Sequence, residues 1–101
     1  MEIDVQVRED HVIVKPFGRV DSTVAEEFWQ HLLGVIDAHP MPVELDCSAI
    51  PYLSSSGLRV LALAAKALRQ RAQRLRITRP TVLVFSTLTL TNFTSFLDVV
   101  D

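Results

Sequence analysis

Three consecutive serines and a glycine, Ser54-Ser55-Ser56-Gly57, are the residues of this chain best placed to do chemistry. They follow a short apolar run that closes on an acid, Val43-Glu44-Leu45-Asp46-Cys47-Ser48, and lead into Leu58-Arg59-Val60-Leu61. That order reads as a buried strand ending on a carboxylate, a short loop, and a helix whose first turn is made of hydroxyls. Hydroxyls beside the free N–H groups of a helix start form a seat for a phosphate.

Three chemistries compete for this cluster. A nucleophilic serine on a strand-to-helix elbow needs glycine two residues before the serine as well as two after. Ser55 has Gly57 after it but Leu53 before it, and His11, His31 and His39 fall in no recognisable arrangement with an acid partner that would supply a base. The pattern therefore speaks against an enzyme. Plain capping is the second reading: Ser54 or Ser55 satisfies orphan N–H groups, worth about 1 kcal/mol, and Gly57 permits close packing. Three serines exceed what a cap requires. Phosphorylation is the third, because a serine in the first helical turn gains about 1.5 to 2 negative charges without opposing the helix dipole.

The elements that must position the cluster follow from hydrophobic periodicity. Alternation at Ile3, Val5, Val7 and again at Val12, Val14, with Glu9-Asp10 between, predicts a hairpin whose second strand stops at Pro16-Phe17-Gly18. Asp21-Ser22-Thr23 opens a helix, with Thr23 and Glu26 spaced as a capping box. Val24, Phe28, Leu32, Val35 and Ile36 form one apolar stripe on it, and Pro40 and Pro42 end it. Val43 to Cys47 is the next strand. Beyond Gly57, the residues Leu58, Leu61, Ala62, Ala65, Leu68 and Ala72 recur at three and four, the clearest helix in the chain. Leu75 and Ile77 mark a fourth strand closed by Arg79-Pro80. Strands alternating with crossover helices imply an α/β fold with a partly parallel sheet.

The segment after Pro80 carries conflicting signals. Val82, Val84, Leu88 and Leu90 alternate as a strand would, in a stretch rich in β-branched residues. Pro80 to Leu97 holds no charge, yet its threonines and serines and its bare length, against the roughly 18 to 20 residues a crossing helix needs, argue against a membrane span.

A length of 101 residues suits one domain, and a 49% hydrophobic content is too apolar for disorder. The formal net charge of -2 supplies no general drive toward nucleic acid or anionic lipid. Seven of the ten basic residues, Arg59, Lys66, Arg69, Arg71, Arg74, Arg76 and Arg79, lie together with no acid among them. This is read as a solvated helix face with cations near the helix C-terminus, where they offset the dipole, ahead of a surface for an acidic partner or a nucleic-acid stripe, against which stand the lack of interleaved aromatics and the acidic net charge. Cys47 is the only cysteine, which excludes an internal disulfide framework and a multi-cysteine metal site. The acidic start Met1-Glu2-Ile3-Asp4 lacks the basic and long apolar regions of a secretory signal, so a reducing, cytoplasmic setting is expected. No metal or cofactor is expected.

Gly18-Arg19-Val20-Asp21-Ser22, Leu45-Asp46-Cys47-Ser48 and Tyr52-Leu53-Ser54-Ser55-Ser56-Gly57-Leu58-Arg59-Val60-Leu61 together resemble the STAS domain of bacterial anti-sigma factor antagonists. The resemblance runs nearly the whole length and implies a single STAS domain over residues 1–101, with a mixed four-stranded sheet packed by helices. It makes Ser55 the phospho-acceptor, with Asp21, Ser54, Ser56, Gly57, Leu58 and Arg59 as its environment and partner-binding surface. Ser54 departs from the aspartate that several members carry. The resemblance also implies that residues 81–91 are helical against their propensity, that Asn92 takes the left-handed conformation after that helix, and that Phe96-Leu97-Asp98-Val99 is the closing segment. The surplus apolar and threonine surface of the helix is expected to be core, ahead of a protein contact.

The implied function is partner switching in transcription regulation. The unphosphorylated chain binds an anti-sigma factor that is a serine/threonine kinase; phosphorylation of Ser55 releases it, and a PP2C-type phosphatase resets the switch. The alternative is a phosphorylation-independent STAS adaptor in a transporter-associated or stressosome-like complex.

Overall fold

The computed structural model describes residues 1–100. Strands β1 (Glu2–Val7) and β2 (Val12–Phe17) form the hairpin, helix α1 spans Ala25–Ala38, and β3 (Val43–Asp46) precedes α2 (Ser55–Arg69). Strand β4 (Arg76–Thr78), helix α3 (Val82–Leu90), a 3-10 turn at Phe93–Ser95 and strand β5 (Asp98–Val100) complete the described chain. The sheet runs β1-β2-β3-β4-β5, with β1 antiparallel to β2 and every other pair parallel. It therefore has five strands where four were expected. The closing segment supplies the fifth: Asp98 N–H reaches Leu75 O at 3.0 Å, and Arg79 N–H reaches Val100 O at 3.2 Å. Three residues beginning with an acid carry no alternation of their own, so β4 alone makes them a strand.

One sheet face builds the core. Val12, Val14, Leu45 and Ile77 are fully enclosed there against Phe28, Leu32 and Ile36 of α1 and Leu58, Leu61 and Leu68 of α2. The helical stripes read from the sequence thus find the sheet. The opposite face is polar, with Asp4 paired across the hairpin from Lys15 and with Glu44 accepting from Thr78 Oγ1 at 2.9 Å.

Three local expectations are corrected. No Thr23–Glu26 capping box forms: the N-cap of α1 is Val24, without a side-chain cap. Asp21 instead takes up the turn, its Oδ1 accepting from Thr23 N–H at 3.0 Å and its carbonyl from Val24 N–H at 3.3 Å. A short acidic side chain bonding two residues ahead competes directly with helix initiation. Secondly, Ala72 is off the α2 stripe. Gln73 N–H bonds Leu68 O and Ala72 N–H bonds Arg69 O, both at 3.0 Å, a Schellman end that puts exposed Ala72 at φ 59, where glycine is usual.

Thirdly, the basic run is no single solvated face. Arg71 is half-buried and donates to the carbonyls of Ile36, His39 and Met41 at 2.8 to 3.0 Å, fastening the α1–β3 connection. Arg74 pairs with Asp98 at 2.9 Å and Arg79 with Asp46 at 2.5 Å, leaving Arg59, Lys66 and Arg69 exposed on α2. The acids that sequence proximity did not show arrive from other strands.

Residues 82–90 are helical, as the resemblance implied and propensity denied. Thr81 caps the helix by accepting from Val84 N–H at 3.4 Å, while its hydroxyl donates to Ile50 O at 2.9 Å. Thr87, Thr89 and Thr91 donate to carbonyls one turn back, and Asn92 takes φ 62. Packing of Val84 and Leu88, one turn apart and both enclosed, outweighs the β preference. The expectation that the surplus apolar surface is core fails, since Val82 is 89% and Leu90 83% exposed, with Leu83 and Phe85 also open. A lone helix packed along one line buries only that line. Among the described residues, no helix is long and apolar enough to cross a membrane.

Candidate functional site

The serine cluster sits at the C-terminal end of the parallel strands, where the chain leaving β3 turns into α2. Asp46 closes β3 with its carboxylate buried; Oδ1 accepts from Ser48 N–H at 3.0 Å and Oδ2 from Arg79 Nη2 at 2.5 Å. Burial works to raise the Asp46 pKa, but the Arg79 guanidinium and the Ser48 N–H outweigh it and hold the carboxyl below the usual value. Next to it, burial and then the Asp46 charge push the enclosed Cys47 thiol up to about 12, so it stays neutral. The predicted strand-end acid is thus a structural anchor of the loop.

The loop itself is held by the segment after β2. Val20 pairs with Leu53 in a parallel bridge, Val20 N–H bonds Tyr52 O at 3.0 Å, and Ser54 N–H bonds Val20 O at 2.9 Å. These bonds place Asp21, the next residue, beside the start of α2. Arg19 lies over the Tyr52 ring at 4.6 Å, a cation–π contact that braces the same junction.

Within the cluster the three serines have different roles. Ser54 is the N-cap, its Oγ accepting from Gly57 N–H at 3.2 Å and its carbonyl from Leu58 N–H at 2.9 Å. Ser55 is the first helical residue and its side chain is exposed; Ser56 is half-buried. The N–H groups of Ser55 and Ser56 precede the first carbonyl that could bind them inside the helix, so they face outward as donors. Gly57 is buried where a Cβ would meet Leu53 Cδ1 at 2.6 Å and Val20 Cγ1 at 3.0 Å. This close approach locks α2 against the Val20–Leu53 bridge. Leu58 is buried beneath, and exposed Arg59 stands one turn on from Ser55, on the same helix face.

Ser56 and Arg59 also line a groove with Ser22, Glu26 and Trp29 of the α1 side. The sequence reading gave Ser22 and Glu26 only to the opening of the helix and did not single out Trp29, so none of the three was assigned to the site. Trp29, partly exposed directly after buried Phe28, was the available signal: a large aromatic off the apolar stripe. The histidines lie elsewhere. His11 and His39 sit at the start of β2 and the end of α1, the far end of the parallel strands, and His31 faces Glu27 along α1. The site offers an accessible hydroxyl, outward N–H donors and a nearby cation, an arrangement fit to carry a phosphoryl group.

Comparison with known proteins gives consistent matches. The chain is 43% identical over 53 residues to BtrV of Bordetella bronchiseptica, assigned as an anti-sigma factor antagonist, a match covering 52% of this chain and 46% of that protein. It therefore spans about half the length of this relative. The crystal structure of TM1081 from Thermotoga maritima, assigned the same role, superposes with a TM-score of 0.89 at 19% identity, covering 98% of this chain and 86% of that one. The unphosphorylated Bacillus anti-sigma factor antagonist SpoIIAA gives 0.81 at 15% identity, covering 99% and 89%. Its phosphorylated form gives 0.73 at 14% identity, covering 99% and 92%. At these identities the structural likeness is one of fold. The STAS domain model matches residues 2–101, and the chain belongs to the STAS domain family.

Proposed function

We propose that this chain is an anti-sigma factor antagonist, one STAS domain acting in the cytoplasm, whose binding is switched by phosphorylation of Ser55. The observation that carries the reading is the division of labour at the start of α2. Ser54 caps the helix and Gly57 locks it, while Ser55 is exposed and engaged in neither task. A modification there changes the surface and spares the fold. The relative BtrV supports the role by its assignment, and SpoIIAA, of like fold, exists in unphosphorylated and phosphorylated forms.

Unphosphorylated, α2 from Ser55 to Arg59, with Asp21 and the adjoining Ser22–Trp29 surface, docks on an anti-sigma factor serine/threonine kinase and frees its sigma factor. The kinase transfers the γ-phosphoryl group of ATP to Ser55 Oγ, breaking the bond to the β-phosphate oxygen and releasing ADP, while the hydroxyl proton leaves with the kinase's base. The added charge, about 1.5 to 2 units, is received by Arg59 and the outward N–H groups. In a desolvated interface a cost of about 3 kcal/mol lowers affinity roughly a hundredfold. A PP2C-type phosphatase hydrolyses the phosphoester and restores binding.

The test incubates the chain with its cognate kinase and ATP and locates phosphate by mass spectrometry. A single phosphate on Ser55, lost in Ser55→Ala, is the expected result, with Ser55→Asp binding the kinase about a hundredfold more weakly. Absence of phosphate from Ser54, Ser55 and Ser56 sinks the switch. Equal binding of the wild-type chain and Ser55→Asp would favour the constitutive adaptor.

A further inference from the structure

We propose that the free edge of β1 is a self-association surface, on which a second copy of this chain adds its own β1 antiparallel about a twofold axis through Val5. The proposal is independent of the phosphorylation site.

Hydrogen-bond alternation identifies what the edge presents. Arg8 N–H bonds His11 O at 2.8 Å, so the backbone groups of Arg8 face β2. In an antiparallel ladder alternate residues face the partner strand. Glu2, Asp4 and Gln6 therefore also face inward, while the N–H and C=O groups of Ile3, Val5 and Val7 point to the open edge. On the other side of the hairpin, Val12 N–H bonds Pro42 O at 3.0 Å toward β3, which agrees with the same alternation. The side chains of Ile3, Val5 and Val7 oppose Pro16, Val14 and Val12 on the core face. Val5 and Val7 nevertheless remain 41% and 55% exposed, while Ile3, nearer α1, is half-buried against the core. The edge thus combines unpaired ladder groups with apolar side chains, the features that invite strand addition.

Register then selects the occupant. Two copies can pair only where outward groups meet outward groups, so the axis passes through a residue and not between two. Centred on Asp4, the pairing sets that carboxylate opposite its own copy, which is destabilising. Centred on Gln6, it leaves Ile3 without an outward-facing partner. Centred on Val5, Ile3 meets Val7 of the second copy and Val5 meets its counterpart, each exchanging both hydrogen bonds. Asp4 then faces Gln6, and Glu2 faces Arg8 of the second copy, on the polar face, at the closely approaching non-hydrogen-bonded positions. The strand is complementary to itself in backbone, apolar side chains and charge. A pairing of this extent belongs to the small, transient class of interface.

Sedimentation equilibrium on the full chain from about 10 µM to 1 mM, a range matched to weak association, tests it. The expected result is a concentration-dependent rise from the 11.3 kDa monomer toward twice that mass. Val5→Pro removes an outward N–H and no intrachain ladder bond, so it abolishes the rise while leaving the circular dichroism unchanged. Glu2→Arg sets like charges opposite and weakens association about tenfold, and Glu2→Arg with Arg8→Glu restores it. A chain that stays monomeric throughout overturns the proposal. So does a dimer that neither Val5→Pro nor Glu2→Arg weakens.

Discussion

Replacing Gly57 by alanine isolates the contact that fixes the start of α2. The new methyl would stand 2.6 Å from Leu53 Cδ1, 3.0 Å from Val20 Cγ1 and 3.1 Å from Leu53 Cγ. Leu53 is 4% exposed and Val20 fully enclosed, so neither can swing into solvent, and both are tied into the bridge that carries Ser54 N–H. Overpacking of this kind costs about 1 to 3 kcal/mol. Against it, alanine in place of helical glycine gains about 0.5 to 1 kcal/mol. The net is a loss of about 1 kcal/mol at the midpoints of these ranges, up to about 2.5, and each 1 kcal/mol lowers Tm by about 4 to 8 °C for a chain of this size. Gly34 supplies the contrast: it lies exposed within α1, and a Cβ there meets nothing within 4 Å. Gly34→Ala should stabilise by about 0.5 to 1 kcal/mol through propensity alone. Urea titrations followed by circular dichroism and Trp29 fluorescence measure both midpoints, with the slope serving as the check on two-state behaviour. If the two variants shifted in the same direction, the close-approach argument would be refuted.

Other perturbations probe other parts of the fold. Ala72→Gly relieves the left-handed backbone at the end of α2 and should raise stability by about 0.5 to 1 kcal/mol in thermal melts; an unchanged Tm would contradict it. Arg71→Ala removes donors to three carbonyls of the α1–β3 connection and should cost about 2 kcal/mol, with faster amide exchange there as the local signature. Because the Asp46 pKa is depressed in the folded chain, the stability it contributes is present above the ordinary value of 3.8 and is lost as pH falls through the folded value. Asp46→Asn should therefore be less stable at neutral pH and show a flatter stability profile below about pH 4. Cys47, with its thiol pushed up to about 12, should resist iodoacetamide in the native chain at pH 8 and react once urea unfolds it.

Where neighbours along the chain carry the information, the sequence was enough. Period-two alternation located β1 and β2, and the three-and-four spacing located α1 and α2. The hydroxyls before Gly57 marked a helix start, and Ser54 does cap it. Each is a short-range consequence of residue type. Asn92 at φ 62 followed instead from the family resemblance, which implied the helix before it.

Tertiary structure decided what depends on partners distant in sequence. Residues 82–90 read locally as a strand, yet two side chains packed on the core and a cap bound to Ile50 make them a helix. Asp98–Val100 became a strand because β4 offers an unpaired edge, and Arg71, Arg74 and Arg79 left their apparent common face to meet carbonyls and acids from other elements. The serine cluster shows both levels in one place. Sequence determined that a hydroxyl-rich turn would open α2. Only the Val20–Leu53 bridge and the methyl-free surface of Gly57 decided that Ser54 would be spent on the cap while Ser55 faces solvent, because long-range contacts set how the helix start is rotated against the sheet.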